Sequence, residues 1–129
     1  MAETDLATLI RAMSPRLDPG VFVFATVKVA PAGLSPLMSF REAEGITMIL
    51  AREEAEVAGL RVSFPSRMIT LEINSSLEAI GFLAAITAKL AEAGIAVNPV
   101  SGFHHDHLFV PEARAEEAMA ILWEMASGS

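Results

Sequence analysis

The chain contains no cysteine. Disulfides, thiolate nucleophiles and zinc–thiolate centres are thereby excluded, and a cytoplasmic setting becomes the expectation. Positive charge is scarce as well. Nine Lys and Arg residues stand against 16 Asp and Glu, for a net charge of −7. The basic residues are scattered rather than striped, so neither nucleic acid nor a membrane surface is an expected partner. No uncharged apolar run reaches the roughly 18 residues that a membrane span requires. The best contender, Ala79 to Val97, is interrupted by Lys89 and Glu92 and has helical periodicity, so it reads as a buried helix. The opening stretch MAETDLATLIRAM has no basic region ahead of its apolar residues, which argues against a secretory signal. Without a signal, the Asn74-Ser75-Ser76 sequon carries no glycosylation reading.

Apolar residues are plentiful. Hydrophobic residues make up 53% of the 129, charged residues only 19%, and the mean hydropathy is +0.47. These values fit one globular domain or two very small fused modules, not a disordered chain.

Periodicity and turn signals set the element order. Leu6, Leu9, Ile10 and Met13 share one face of a helix from Thr4 to Met13, capped by Thr4 or Asp5. Pro15, Pro19 and Gly20 break the chain. Val21 to Val29 is β-branched and aromatic, and reads as a strand buried on both faces. Ala30 to Phe40 carries Pro31, Gly33 and Pro36 and reads as a long loop. A strand from Ile46 to Ala51 follows Gly45. Next come a short helix, Arg52 to Ala58, closed by Gly59, and a strand from Leu60 to Phe64 ended by Pro65. In the second half, Met68 to Ile73 reads as a strand. Ser75 to Ala93 reads as the longest helix, with Leu77, Ile80, Ala84, Thr87, Leu90 and Ala91 on one face. Ser75 and Glu78 have capping-box spacing, and Gly94 with Ile95 supplies the stop. Ala96 to Val100 and His107 to Val110 read as strands. Pro111 starts a last helix bearing Ala115, Ala118, Met119, Leu122 and Met125 at helical spacing.

The order is α-β-β-α-β, then β-α-β-β-α. The class is α+β. Residues 1–66 and 67–129 each read as a ferredoxin-like βαββαβ unit lacking one terminal strand. Packed side by side, two such units share an antiparallel sheet with helices on one face and cover each other's edges.

Five segments in this order carry a family resemblance: PGVFVFATV, FREAEGITMIL, MITLEINSSLEAIGF, AEAGI and FHHDHLFVP. Together they resemble the small tandem ACT-domain proteins, kin to aspartate kinase regulatory domains and to cytosolic arginine sensors. The resemblance spans Leu17 to Leu122, and its last two motifs are the most specific. It implies two ACT modules of βαββαβ fold, binding an amino acid or related metabolite between paired domains, in a regulatory and non-catalytic role.

Two loci carry the candidate chemistry. Asn74, Ser75 and Ser76 open the long helix, where free N–H groups and the helix dipole suit a ligand carboxylate. Either Ser75 caps its own helix, or these N–H groups face a ligand. Glu78 competes for the same N–H groups, or receives a ligand's ammonium or guanidinium. Gly81, without a Cβ, allows close approach, either of a ligand or of a neighbouring element. Leu77, Ala79, Ile80 and Phe82 then line the same region. The second locus is Gly102-Phe103-His104-His105-Asp106-His107. Asp106 is unusual at a strand start. By the resemblance it matches an acidic residue facing the ligand, with Phe103 over the ligand's aliphatic part; otherwise Asp106 caps a turn. Asn98 matches an Asn that related domains carry on this strand, or is simply a polar residue before Pro99. The histidines offer metal-ligand types, but on a strand only His105 and His107 share a face, and no other His exists in the chain. Glu44 and Thr47 flank Gly45 and face the same cleft from the opposite module, in this reading. Lys28 meets an anion or snorkels. Trp123 and the seven Met residues read as core or dimer contacts.

No nucleophile elbow, phosphate loop or thiol is present, so no catalytic residue, cofactor or resident metal is expected. The expected function is that of a non-catalytic sensor of an amino acid, able to homodimerise. The alternatives are a dimerisation scaffold with a vestigial pocket and, behind it, a His-cluster metal-binding protein.

Overall fold

A computed structural model describes residues 4–128. The chain runs α1 (Leu6–Ala12), β1 (Pro15–Leu17), β2 (Phe22–Val27), β3 (Met38–Arg41), β4 (Ile46–Ala51), α2 (Arg52–Val57), β5 (Val62–Leu71), α3 (Phe82–Glu92), β6 (Asn98–Ser101) and β7 (Asp106–Pro111). A 3-10 turn at Glu112–Arg114 then leads into α4 (Ala115–Ser127). No helix among the described residues is long and apolar enough to cross a membrane.

The residues form two compact units. One is continuous, Gly20–Ser66. The other is split, joining the chain up to Pro19 with the chain from Arg67 onward. The modules read along the sequence, 1–66 and 67–129, thus divide differently in space. The reason is pairing: β1 lies antiparallel to the end of β5, with Pro15 opposite Leu71 and Leu17 opposite Ile69. In addition, Leu9 and Met13 are fully buried in the split unit's core.

In the continuous unit β4 lies between β2 and β3. β2 pairs with it from Phe22–Ala51 to Val27–Ile46, and β3 pairs on its other side from Met38–Ile49 to Arg41–Ile46. Directly opposite residues share a face. Val23, Ala25, Met48 and Leu50 are therefore buried together, under Ala55 of α2. β3 lies within and just beyond the stretch expected to be loop. Its sequence, MSFR, has no clean alternation; the hairpin to β4 imposes the strand. Gly45 closes that hairpin by bonds to and from Glu42, and a Cβ there would come within 2.9 Å of Val27 O.

β5 replaces two expected strands. The ladder with β2 continues past Pro65 through a register shift between Phe22 and Phe24, and Phe64 sits at φ 56. A bulge accommodates a tertiary amide nitrogen that donates no bond. Phe64 packs edge-on against Phe24, centroids 5.7 Å apart.

In the split unit, β7 lies between β5 and β6, and α1, α3 and α4 supply the buried Leu9, Ile86, Leu90 and Leu122. Asp5 caps α1, accepting from Thr8 N at 3.0 Å. The stop of α3 is as expected: Gly94 has φ 74, its N–H reaches Ala91 O, and Ile95 N–H reaches Leu90 O. Arg114 adds a bond to Ala93 O at 2.9 Å, a cation at the helix's negative end.

The start of α3 is not as expected. The helix begins at Phe82, not at Ser75, and α4 is the longer helix. Gly81 has φ 89, outside helical space, so it is the residue before the helix and not an interior one. Residues 74–81 are non-helical, with a turn at Leu77 and Glu78 closed by Ala79 N bonding to Ser76 O. The capping box is absent, because Ser75 turns its hydroxyl elsewhere.

Candidate functional site

Ser75 Oγ donates to Asp106 Oδ2 at 3.1 Å, and both residues are buried. This bond links the turn before α3 to the first residue of β7. Beside it lies a cavity of about 190 Å³. Three segments wall it, all in the split unit: the turn (Ser75, Ser76, Leu77, Ala79, Gly81), the first turn of α3 (Phe82, Leu83, Ala84), and the β6–β7 connection (Ser101, Gly102, Asp106).

The walls have opposite electrostatic character. No side chain caps α3. The first main-chain bond of the helix is Ala85 N to Gly81 O, at 2.9 Å. The N–H groups of Phe82, Leu83 and Ala84 precede it, at the positive end of the helix dipole. The other wall holds the Asp106 carboxyl, only 7% exposed. A small molecule bearing both an anionic and a cationic group matches this pair.

Ser75, Ser76, Leu77, Ala79, Gly81, Gly102 and Asp106 are thus brought to one cavity. Asn74, Glu78, Ile80, Asn98 and Phe103 are not among its lining. Glu78 N–H instead donates to Ser76 Oγ at 3.0 Å, within the turn. Ile80 is 85% exposed. Asn98 sits on β6 opposite Phe109, and Phe103, 78% exposed, packs against His104 with centroids 5.1 Å apart. Phe82, expected beside Gly81, is in the lining too, whereas Leu83, Ala84 and Ser101 escaped sequence reasoning. The available signal was Gly81 itself: a glycine ahead of an unbroken apolar run marks a helix start as well as a weak helix interior.

The histidines are engaged separately. His107 Nδ1 lies 3.0 Å from Thr70 Oγ1, and His105 Nδ1 lies 3.4 Å from Ile73 O. Among the described residues no three His, Asp or Glu side chains are grouped to hold a metal. In the continuous unit, Lys28 Nζ donates to Glu44 O at 2.7 Å, and Thr47 Oγ1 bonds to Glu42. Trp123 is half-exposed on α4, while Met13 and Met48 are core residues.

Burial pushes the His107 imidazole below its usual value of 6.5; His105 and Arg16 add to this and Asp106 opposes it. The unfolded imidazole therefore binds its proton more tightly than the folded one. This contribution to stability is complete above pH 6.5 and is lost as the pH falls through the lower folded value. Urea unfolding midpoints should fall with pH in this window, and His107→Gln should flatten that slope. An unchanged slope in the variant would remove His107 as its source.

Two sequence profiles described as ACT domain match the chain, one over residues 1–67 and one over residues 63–124. No curated protein matches it. Among solved structures, a Vibrio cholerae protein of unknown function, described as a possible transport protein, is 44% identical. It superposes with a TM-score of 0.85 over 94% of this chain and 95% of its own. An Agrobacterium tumefaciens protein is 18% identical, with a TM-score of 0.74 over 87% of each chain. The ligand-free regulatory subunit of aspartate kinase from Thermus thermophilus is 10% identical, with a TM-score of 0.65 over 88% of this chain and 97% of its own; at that identity the likeness is one of fold. The family match supports a regulatory, small-molecule-binding role. The chain belongs to the ACT-domain family and carries two ferredoxin-like ACT domains in tandem.

Proposed function

We propose that this protein is a non-catalytic, cytoplasmic sensor of a free amino acid, held in the cavity beside Asp106. The ligand's carboxylate meets the N–H groups of Phe82, Leu83 and Ala84. Its ammonium meets Asp106, which Ser75 holds in place. The observation that carries this reading is the uncapped start of α3 and a buried carboxyl in one cavity. The cavity is smaller than the roughly 300 Å³ at which drug-sized pockets begin, which suits a small zwitterion. Corrected helix bounds strengthen the case, since Glu78 no longer competes for the helix N–H groups. The ligand would act by differential affinity, favouring the conformation in which both walls engage it. Its coupling to any protein partner would be reciprocal.

A thermal-shift screen against the proteinogenic amino acids tests this. One of them should raise the melting temperature saturably, by an amount set by mass action. If none does, the sensor reading fails. A dimerisation scaffold is the second reading, favoured by the exposed Leu77, Ile80 and Phe103 on the two loops that also wall the cavity. Concentration-dependent dimerisation in sedimentation, without any ligand shift, would support it.

A further inference from the structure

We propose that the continuous unit carries a second binding site, for an organic carboxylate with an apolar body. The site follows from the register of β3 against β4. Ser39 stands opposite Met48, and Arg41 opposite Ile46, so these four side chains share the face whose other part is buried under α2. Past the reach of α2, the Pro-rich segment between β2 and β3 arches over this face. It is pinned by Ser35 N donating to Glu54 Oε2 at 2.8 Å, and by Leu37 N donating to Ile49 O at 2.7 Å. Between arch and sheet lies a cleft of about 580 Å³. Leu34, Pro36, Ile46 and Met48 make it apolar, and Arg41 stands in its lining.

Two features name the ligand class. Ile46 on the sheet and Leu34 and Pro36 in the arch are only partly buried, which favours an apolar body. Arg41 belongs to neither of the ion pairs at Arg16–Glu72 and Arg114–Glu117, and among the described residues its guanidinium has no partner. A guanidinium fork beside such a surface suits a carboxylate, with the Ser39 hydroxyl as a second donor. The volume lies within the range of pockets for such molecules. This site shares no lining residue with the cavity beside Asp106.

The test uses octanoate as the probe, on the full chain, by calorimetry and by NMR of the Met48 methyl group. Octanoate should bind saturably and shift that methyl. Hexanoate should bind more weakly, by about threefold to fourfold for each methylene lost. Arg41→Gln should weaken octanoate at least about tenfold, while Arg41→Lys, which keeps the charge, should retain more of the affinity. Octylamine binding as tightly as octanoate would overturn the assignment. So would unchanged affinity in Arg41→Gln, or shifts at Ala84 and Asp106 in place of Met48. Absent binding, together with dimerisation that shifts the Met48 methyl, would assign the cleft to a second copy of the chain and also overturn it.

Discussion

Replacing Asp106 with asparagine is expected to weaken amino-acid binding by at least about thirtyfold. The side chain is almost wholly buried, so its interaction with a ligand ammonium is poorly screened. Removing one partner of a buried, hydrogen-bonded charge pair costs about 2–5 kcal/mol, and about 1.4 kcal/mol corresponds to a tenfold change in affinity. Asparagine is the informative choice. Its carbonyl still accepts from Ser75 Oγ, so the link between the turn and β7 survives while the charge disappears. Alanine would remove both and leave Ser75 buried without its acceptor. The check is calorimetry with the amino acid that raises the melting temperature of the parent protein. Unchanged affinity in Asp106→Asn, with melting behaviour preserved, would take Asp106 out of the site.

Phe82→Ala should have the largest effect on stability. Phe82 is buried at the first position of α3 and belongs to both the core and the cavity wall. Truncating a buried Phe costs about 3–5 kcal/mol through lost transfer energy and the void left behind. For a chain of this size that lowers the melting temperature by roughly 10 °C or more. Ligand binding should nevertheless persist, because residue 82 contributes its main-chain N–H, which alanine retains. Urea unfolding gives the stability loss, and titration of the folded variant gives the affinity. A variant that folds but loses all binding would show that the aromatic ring, not the helix start, holds the ligand.

The parts of the fold that sequence reasoning recovers are those decided locally. The strand Ile46–Ala51 is a compact β-branched and apolar run with Gly45 before it. The stop at Gly94 needs only a left-handed residue and an apolar one after it. Where distant residues decide, local reasoning fails. β1 contains the Pro15 that reads as a breaker, yet it is a strand because Leu17 and Pro15 face β5 some fifty residues away. β3 exists because β4 offers it a partner. β5 crosses Pro65 because its pairing with β2 tolerates a bulge there.

The site shows the same division. Ser75 and Asp106 were identifiable by residue type, one as a helix-start hydroxyl and the other as an acid out of place on a strand. Their bond was not, since it joins positions 31 apart in the chain. With Ser75 committed to Asp106, the capping box cannot form, and Gly81 takes over the start of the helix. That one long-range hydrogen bond thus relocates the N-terminal end of α3 by seven residues, from Ser75 to Phe82. It also brings Leu83 and Ala84 into the cavity in place of Asn74 and Glu78.

The most direct test is an NMR titration of the full chain with an equimolar pool of the proteinogenic amino acids, following main-chain amides. The account predicts saturable shifts at Phe82, Leu83 and Ala84, accompanied by shifts at Ser75 and Asp106, with the Met48 methyl unmoved. Shifts confined to other residues, or none at saturating concentration, would contradict it.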